Sequence, residues 1–85
     1  MKTLSRMLGR RNVIYTPKSG TTRMINYSFE KKILEVEFKS GEVYHYISVP
    51  PDVWEKYRDV VLSGESSGTY LNLNVRNNYE FYNVD

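Results

Sequence analysis

The chain has 85 residues, a net charge of +2 and no cysteine. That length allows one domain with one small core, burying about 60–65% of the surface an unfolded chain exposes. The missing cysteines exclude a disulfide framework and thiolate metal sites, and no apolar run approaches the roughly 20 residues of a membrane-spanning helix. The weakly apolar start, residues 1–9, is too short for a secretory signal. These features predict a cytoplasmic protein for which self-association is a natural source of stability, as a homodimer or higher homo-oligomer.

Charge is unevenly spread. Residues 1–24 carry Lys2, Arg6, Arg10, Arg11, Lys18 and Arg23 and no acid, whereas residues 25–85 carry six bases against ten acids. A basic N-terminal segment, 1–24, is therefore set against a mildly acidic domain, 25–85, and attraction for anions is expected mainly from the segment.

In chain order, residues 1–9 read as a helical turn or tail, and 12–16 as a short β-prone run ended by Pro17 and Ser19-Gly20. Met24 to Phe29 reads as a strand, and Glu30-Lys31-Lys32 as a polar turn. Leu34, Val36 and Phe38 alternate with Glu35 and Glu37, the pattern of a strand with one wet face. Glu42 to Ile47 is its hairpin partner.

The length of the Lys39-Ser40-Gly41 connection decides which side chains turn inward. A two-residue loop would set Val36 opposite His45. A three-residue loop, with Gly41 at positive φ in a G1 bulge, sets Val36 opposite Tyr44 and Leu34 opposite Tyr46. The second reading is preferred, because it puts both tyrosines on the apolar face and His45 on the wet one.

Pro51 opens a helix in which Val53, Trp54, Tyr57, Val60 and Val61 recur at helical spacing, ending near Ser63-Gly64. From Thr69 to Tyr79 the periodicity is ambiguous and asparagine-rich, and a short helix or turn is favoured. Residues 79–84 read as a last strand. The fold class is thus α+β: an antiparallel sheet of three to four strands against one main helix, plus a short C-terminal helix or turn.

The run from Tyr27 to Tyr82 resembles the KTSC domain family. The resemblance rests on Leu34-Glu35-Val36-Glu37-Phe38, Gly41, Val43-Tyr44-His45-Tyr46, Val49-Pro50, Trp54, Ser67-Gly68, Tyr70, Asn72, Val75 and Tyr79. It implies a small α+β module, found alone in bacterial and phage proteins and at the end of some lysyl-tRNA synthetases, and it suggests RNA binding. Leu71 stands where the family often has phenylalanine.

Catalysis finds little support. His45 is the sole histidine, and no Gly-rich phosphate loop, His pair or metal cluster is present, so no catalytic residue, metal or cofactor is expected. Glu35 and Glu37 read as solvating residues.

Three constellations suit a ligand. Tyr44 and Tyr46 offer a stacking surface, although core packing is favoured for both. Tyr70, Asn72, Asn74, Arg76 and Tyr79 combine rings, amides and a guanidinium; Arg10, Arg11 and Arg23 could meet phosphates. The expectation is a non-catalytic protein that captures a small nucleotide-like anion, one form being a sponge for a signalling nucleotide of the phage anti-defence type. The alternatives are an RNA-binding module, and a protein-interaction adaptor pairing through an edge strand near Tyr27.

Overall fold

A computed structural model of the chain describes residues 8–9 and 12–84. Five strands, β1 (Ile14–Tyr15), β2 (Thr22–Ser28), β3 (Ile33–Phe38), β4 (Val43–Tyr46) and β5 (Phe81–Asn83), form one antiparallel sheet in the order β1-β2-β3-β4-β5. Helices α1 (Pro51–Leu62) and α2 (Ser67–Asn74) lie in sequence between β4 and β5. The architecture is the α+β fold expected, with one or two strands more. The strands beyond that count are the two- and three-residue pieces at the sheet edges, each inside a run expected to be β-prone, 12–16 and 79–84. The basic segment is not set apart from the sheet, since β1 and the start of β2 fall within residues 1–24.

The β3–β4 hairpin fixes the inward set. Phe38 N–H donates to the Glu42 carbonyl at 2.8 Å, Gly41 N–H donates to the Phe38 carbonyl at 2.9 Å, and Gly41 has φ +99°. That is the three-residue loop with glycine in the left-handed position. Leu34 therefore pairs with Tyr46 and Val36 with Tyr44. Ile25, Tyr27, Leu34, Val36 and Tyr46 cover one sheet face and join Trp54 and Tyr57 of α1 and Leu71 and Val75 of α2 in a single core.

Helix α1 starts at Pro51, where a missing N–H loses no intrahelical bond, with Asp52 in its first turn. It ends in a Schellman arrangement: Gly64 N–H donates to Val61 O and Glu65 N–H to Val60 O. Helix α2 is capped by Ser66, whose side chain accepts from Thr69 N–H at 3.3 Å. Leu71 and Val75 are buried and four apart, while Leu73 is exposed, so the helical period wins over strand alternation. Asn74 and Asn78 each donate a side-chain amide to the carbonyl four residues back, which turns poor helix formers into bonds along the exposed face.

Two expectations are corrected. The second face of the sheet is not wet: His45 and Glu35 are 7% and 2% exposed, beside buried Met24, Asn26 and Val43. His45 Nε2 lies 2.8 Å from a Glu35 oxygen, and Asn26 Nδ2 donates to the other Glu35 oxygen and to the Gly9 carbonyl. Leu8, also buried, accompanies Gly9. Alternation shows which residues share a face, but not whether chain lies over that face. Second, Tyr27 is not on an edge strand, because β2 lies between β1 and β3; the edges are β1 and β5.

Tyr57 ties the helices together. Its hydroxyl donates to the Ser67 carbonyl at 3.2 Å and lies 2.6 Å from Ser67 Oγ, and its ring stacks on Tyr70 at 4.9 Å. Burial pushes its hydroxyl far above the ordinary value of 10.0, with the Ser67 hydrogen bond opposing in part. Burial also raises Tyr27, Tyr46 and Tyr70. A folded-state pKa above the unfolded one means the unfolded chain loses protons first as pH rises, so this stability is intact below about pH 10 and lost above it. Urea titrations at pH 8 and above pH 10 should show a steep loss, and Tyr57→Phe should flatten it despite losing about 1 kcal/mol at pH 8. An equal loss in both proteins would remove Tyr57 as a cause.

Candidate functional site

Several of these elements converge on one cleft of about 470 Å³. Its floor is Tyr44 and Tyr46 of β4 with Leu71 of α2, and one end is the β3–β4 turn, bringing Phe38, Lys39, Ser40 and Glu42. The other end is Asn72 on the exposed face of α2 and Arg76 in the turn just after that helix, beside Phe81 of β5. Gly20 and Thr21 close a side.

That side is positioned by two contacts. Lys39 N–H donates to the Thr21 carbonyl at 2.8 Å, tying the turn to the hairpin. Gly68 lets the start of α2 lie against the same turn, because a Cβ there would fall 2.3 Å from Thr21 Oγ1. The Ser67-Gly68 pair thus has a double purpose: Ser67 holds Tyr57 and Gly68 admits Thr21.

The wall is aromatic. Tyr44 stacks on Phe81 with centroids 4.9 Å apart and planes 11° from parallel, and Phe38 meets Tyr44 edge-on at 5.1 Å. Tyr46 is only 1% exposed. Among the described residues its hydroxyl makes no hydrogen bond, yet every fully buried side-chain oxygen or nitrogen there has a partner. The hydroxyl therefore keeps a trace of exposure in a residue that lines the cleft. Burial raises its pKa, the Arg76 charge opposes the rise, and Tyr44 adds to it. It stays a protonated donor at neutral pH.

Beside it, Arg76 Nη1 donates to Asn72 Oδ1 at 3.2 Å. That bond occupies the acceptor of Asn72 and leaves its amide N–H groups, with the rest of the guanidinium, available. The α2 end of the cleft is thus a cluster of donors carrying a positive charge, the arrangement that receives an anion.

Of the residues read as ligand-binding, the cleft assembles Tyr44, Tyr46, Asn72 and Arg76. It does not include Tyr70, whose ring is stacked on Tyr57, or Asn74, which bonds the Tyr70 carbonyl. Tyr79 packs against the core, and Arg23, which meets Glu37 and the Lys39 carbonyl, is not itself among the lining residues. Arg10 and Arg11 lie outside the described residues. Phe38, Lys39, Glu42 and Phe81 line the cleft but lie outside the set that residue type predicts. The hairpin register was the available signal for Phe38 and Glu42, since it sets them opposite each other on the tyrosine face.

A single antiparallel meander with two short helices over one face, and a cleft where the second helix meets the hairpin, defines a small α+β module. The KTSC domain family matches residues 18–79, and the chain belongs to that family. An uncharacterised protein of Stutzerimonas stutzeri strain A1501 is 35% identical over 69 residues, spanning 80% of this chain and 92% of that protein. The crystal structure of a KTSC domain protein from Yersinia pestis matches with a TM-score of 0.66 at 21% identity, over 91% of this chain and 97% of that one. At that identity the likeness shows a shared fold. Among the described residues, no helix is long and apolar enough to cross a membrane.

Proposed function

We propose that this cleft captures a small nucleotide-like anion and holds it without turning it over. The observation that carries this reading is the donor cluster of Tyr46, Asn72 and Arg76 at one end of an aromatic-walled cleft. A phosphate would sit at the donors and a ring would lie along the wall. Where the acid–base groups lie supports capture over catalysis: His45 faces the opposite side of the sheet, bonded to Glu35, and the acid among the described residues that line the cleft, Glu42, is exposed.

RNA binding fits less well. It draws most of its affinity from several phosphate contacts, and among the described residues that line it the cleft offers two cations, Lys39 and Arg76.

The test is calorimetric titration with nucleoside monophosphates and with a single-stranded RNA oligonucleotide, at low and high salt. A monophosphate should bind with a shallow salt dependence. Arg76→Ala should weaken it about 10- to 100-fold, the worth of a charge-assisted hydrogen bond of about 1.5–3 kcal/mol. Binding of RNA alone, falling steeply with salt, would replace this reading with the nucleic-acid one.

A further inference from the structure

The two ends of the cleft differ in chemistry, and the difference bears on which nucleotide fits. At the α2 end, Tyr46, Asn72 and Arg76 offer donors and a positive charge. At the hairpin end, Glu42 is the one acid among the described residues that line the cleft, and it offers only acceptors, one of them in a long 3.5 Å bond from Asn83 Nδ2 that a base would displace. Four residues of extended chain separate Glu42 from Tyr46, about 13 Å at the usual strand rise. That separation is of the order of a nucleoside monophosphate measured from base edge to phosphate.

Phe38 lies opposite Glu42 across the hairpin, its N–H donating to the Glu42 carbonyl at 2.8 Å, and both side chains line the cleft. One face of Tyr44 is taken by Phe81, and Phe38 meets Tyr44 only edge-on. A base at this end would therefore stack on Phe38 with its edge towards the Glu42 carboxylate.

Resting on the capture reading above, we infer that the cleft selects a nucleotide whose base presents two adjacent N–H donors, a guanine, with Glu42 as the group that reads it. The two oxygens of a carboxylate complement guanine N1–H and its 2-amino group as a parallel pair of charge-assisted bonds. Adenine presents one amino group beside a ring-nitrogen lone pair on the corresponding edge. It makes one bond there and sets a lone pair against the carboxylate. A site built on such a pair discriminates by leaving a group unmatched when the wrong base enters. The phosphate goes to the opposite end, so base and anion are read by different residues.

Calorimetric titration of the wild type and Glu42→Gln with GMP, AMP and inorganic phosphate separates the claims. GMP should bind the wild type at least tenfold more tightly than AMP. Glu42→Gln should lower GMP affinity at least tenfold and leave AMP affinity equal or raised, because a glutamine amide sets an acceptor at adenine's amino group and a donor at its ring nitrogen, with an unchanged melting temperature. Equal binding of GMP and AMP, or an equal loss of both in the variant, would overturn base reading while leaving nucleotide capture standing. Inorganic phosphate binding as tightly as GMP would also overturn it. Failure of all three ligands to bind would overturn capture itself, and this inference with it.

Discussion

Trp54→Ala is expected to lower the free energy of unfolding by about 3–5 kcal/mol, the range for truncating a large buried aromatic. Trp54 is 1% exposed and stacks on Tyr27 with centroids 5.5 Å apart and planes 7° from parallel. Tyr27 meets Phe29 edge-on, and its hydroxyl donates to the Val49 carbonyl just before α1 begins. The indole therefore anchors α1 to β2 and the strand-to-helix connection at once. Alanine would leave a void beneath the helix that no flexible neighbour fills. Small domains have only about 5–15 kcal/mol in total, so the variant should be partly unfolded at moderate temperature. A urea titration would show the midpoint falling with little change in slope. A loss below about 1 kcal/mol would mean that α1 is held elsewhere.

Tyr46 is expected to separate packing from recognition. Tyr46→Ala should lose about 3–5 kcal/mol of stability, since the ring is buried among Leu34, Val36 and the helices. Tyr46→Phe keeps the ring and deletes a hydroxyl that makes no hydrogen bond among the described residues. Its stability should therefore stay within about 1 kcal/mol of the wild type. Affinity for a nucleoside monophosphate should nevertheless fall about tenfold, because a donor to the phosphate is gone. Thermal melts and calorimetric titrations of both variants check the pair. If Tyr46→Phe lost as much stability as Tyr46→Ala, the hydroxyl would be structural. If Tyr46→Phe bound like the wild type, the hydroxyl would not face the ligand.

The central sheet was legible because its signals are local. Alternation from Leu34 to Phe38, the glycine at 41 and the Pro50-Pro51 step each dictate their own geometry. Gly41 and the apolar pattern of the facing strand together chose between two registers, and that choice placed Tyr44 and Tyr46. Helix α2 was harder to read, since Leu71, Leu73 and Val75 fit two periods and only burial distinguishes them. The fate of His45 and Glu35 was not legible. Polar residues on a strand read as solvated unless a partner is known, and their partners include one another and Asn26, on the neighbouring strand β2.

The site was half legible for a related reason. Residue type marked Tyr44, Tyr46, Asn72 and Arg76 as useful to a ligand, and the structure brings those four together. The same criterion marked Tyr70, Asn74 and Tyr79, which turn to other faces of the same segment. Position on and just past α2 separates the two sets: Asn72 and Arg76, the latter in the turn after the helix, are bonded to each other, while Tyr70 and Asn74 form the adjacent stripe of α2. With the period of residues 69–79 ambiguous, that sorting was out of reach. Phe81 and Thr21 reach the cleft only through tertiary contacts, the first by pairing with Tyr46 and the second by abutting Gly68.

Amide chemical-shift mapping on the ¹⁵N-labelled chain during titration with GMP addresses the binding site most directly. The expected result is saturable movement of the Thr21, Lys39, Glu42, Asn72 and Arg76 signals, with the strand signals of β1 and the body of α1 still. Movement confined to β1 and the far side of the sheet, or no movement at millimolar nucleotide, would contradict a ligand seated between the hairpin turn and α2.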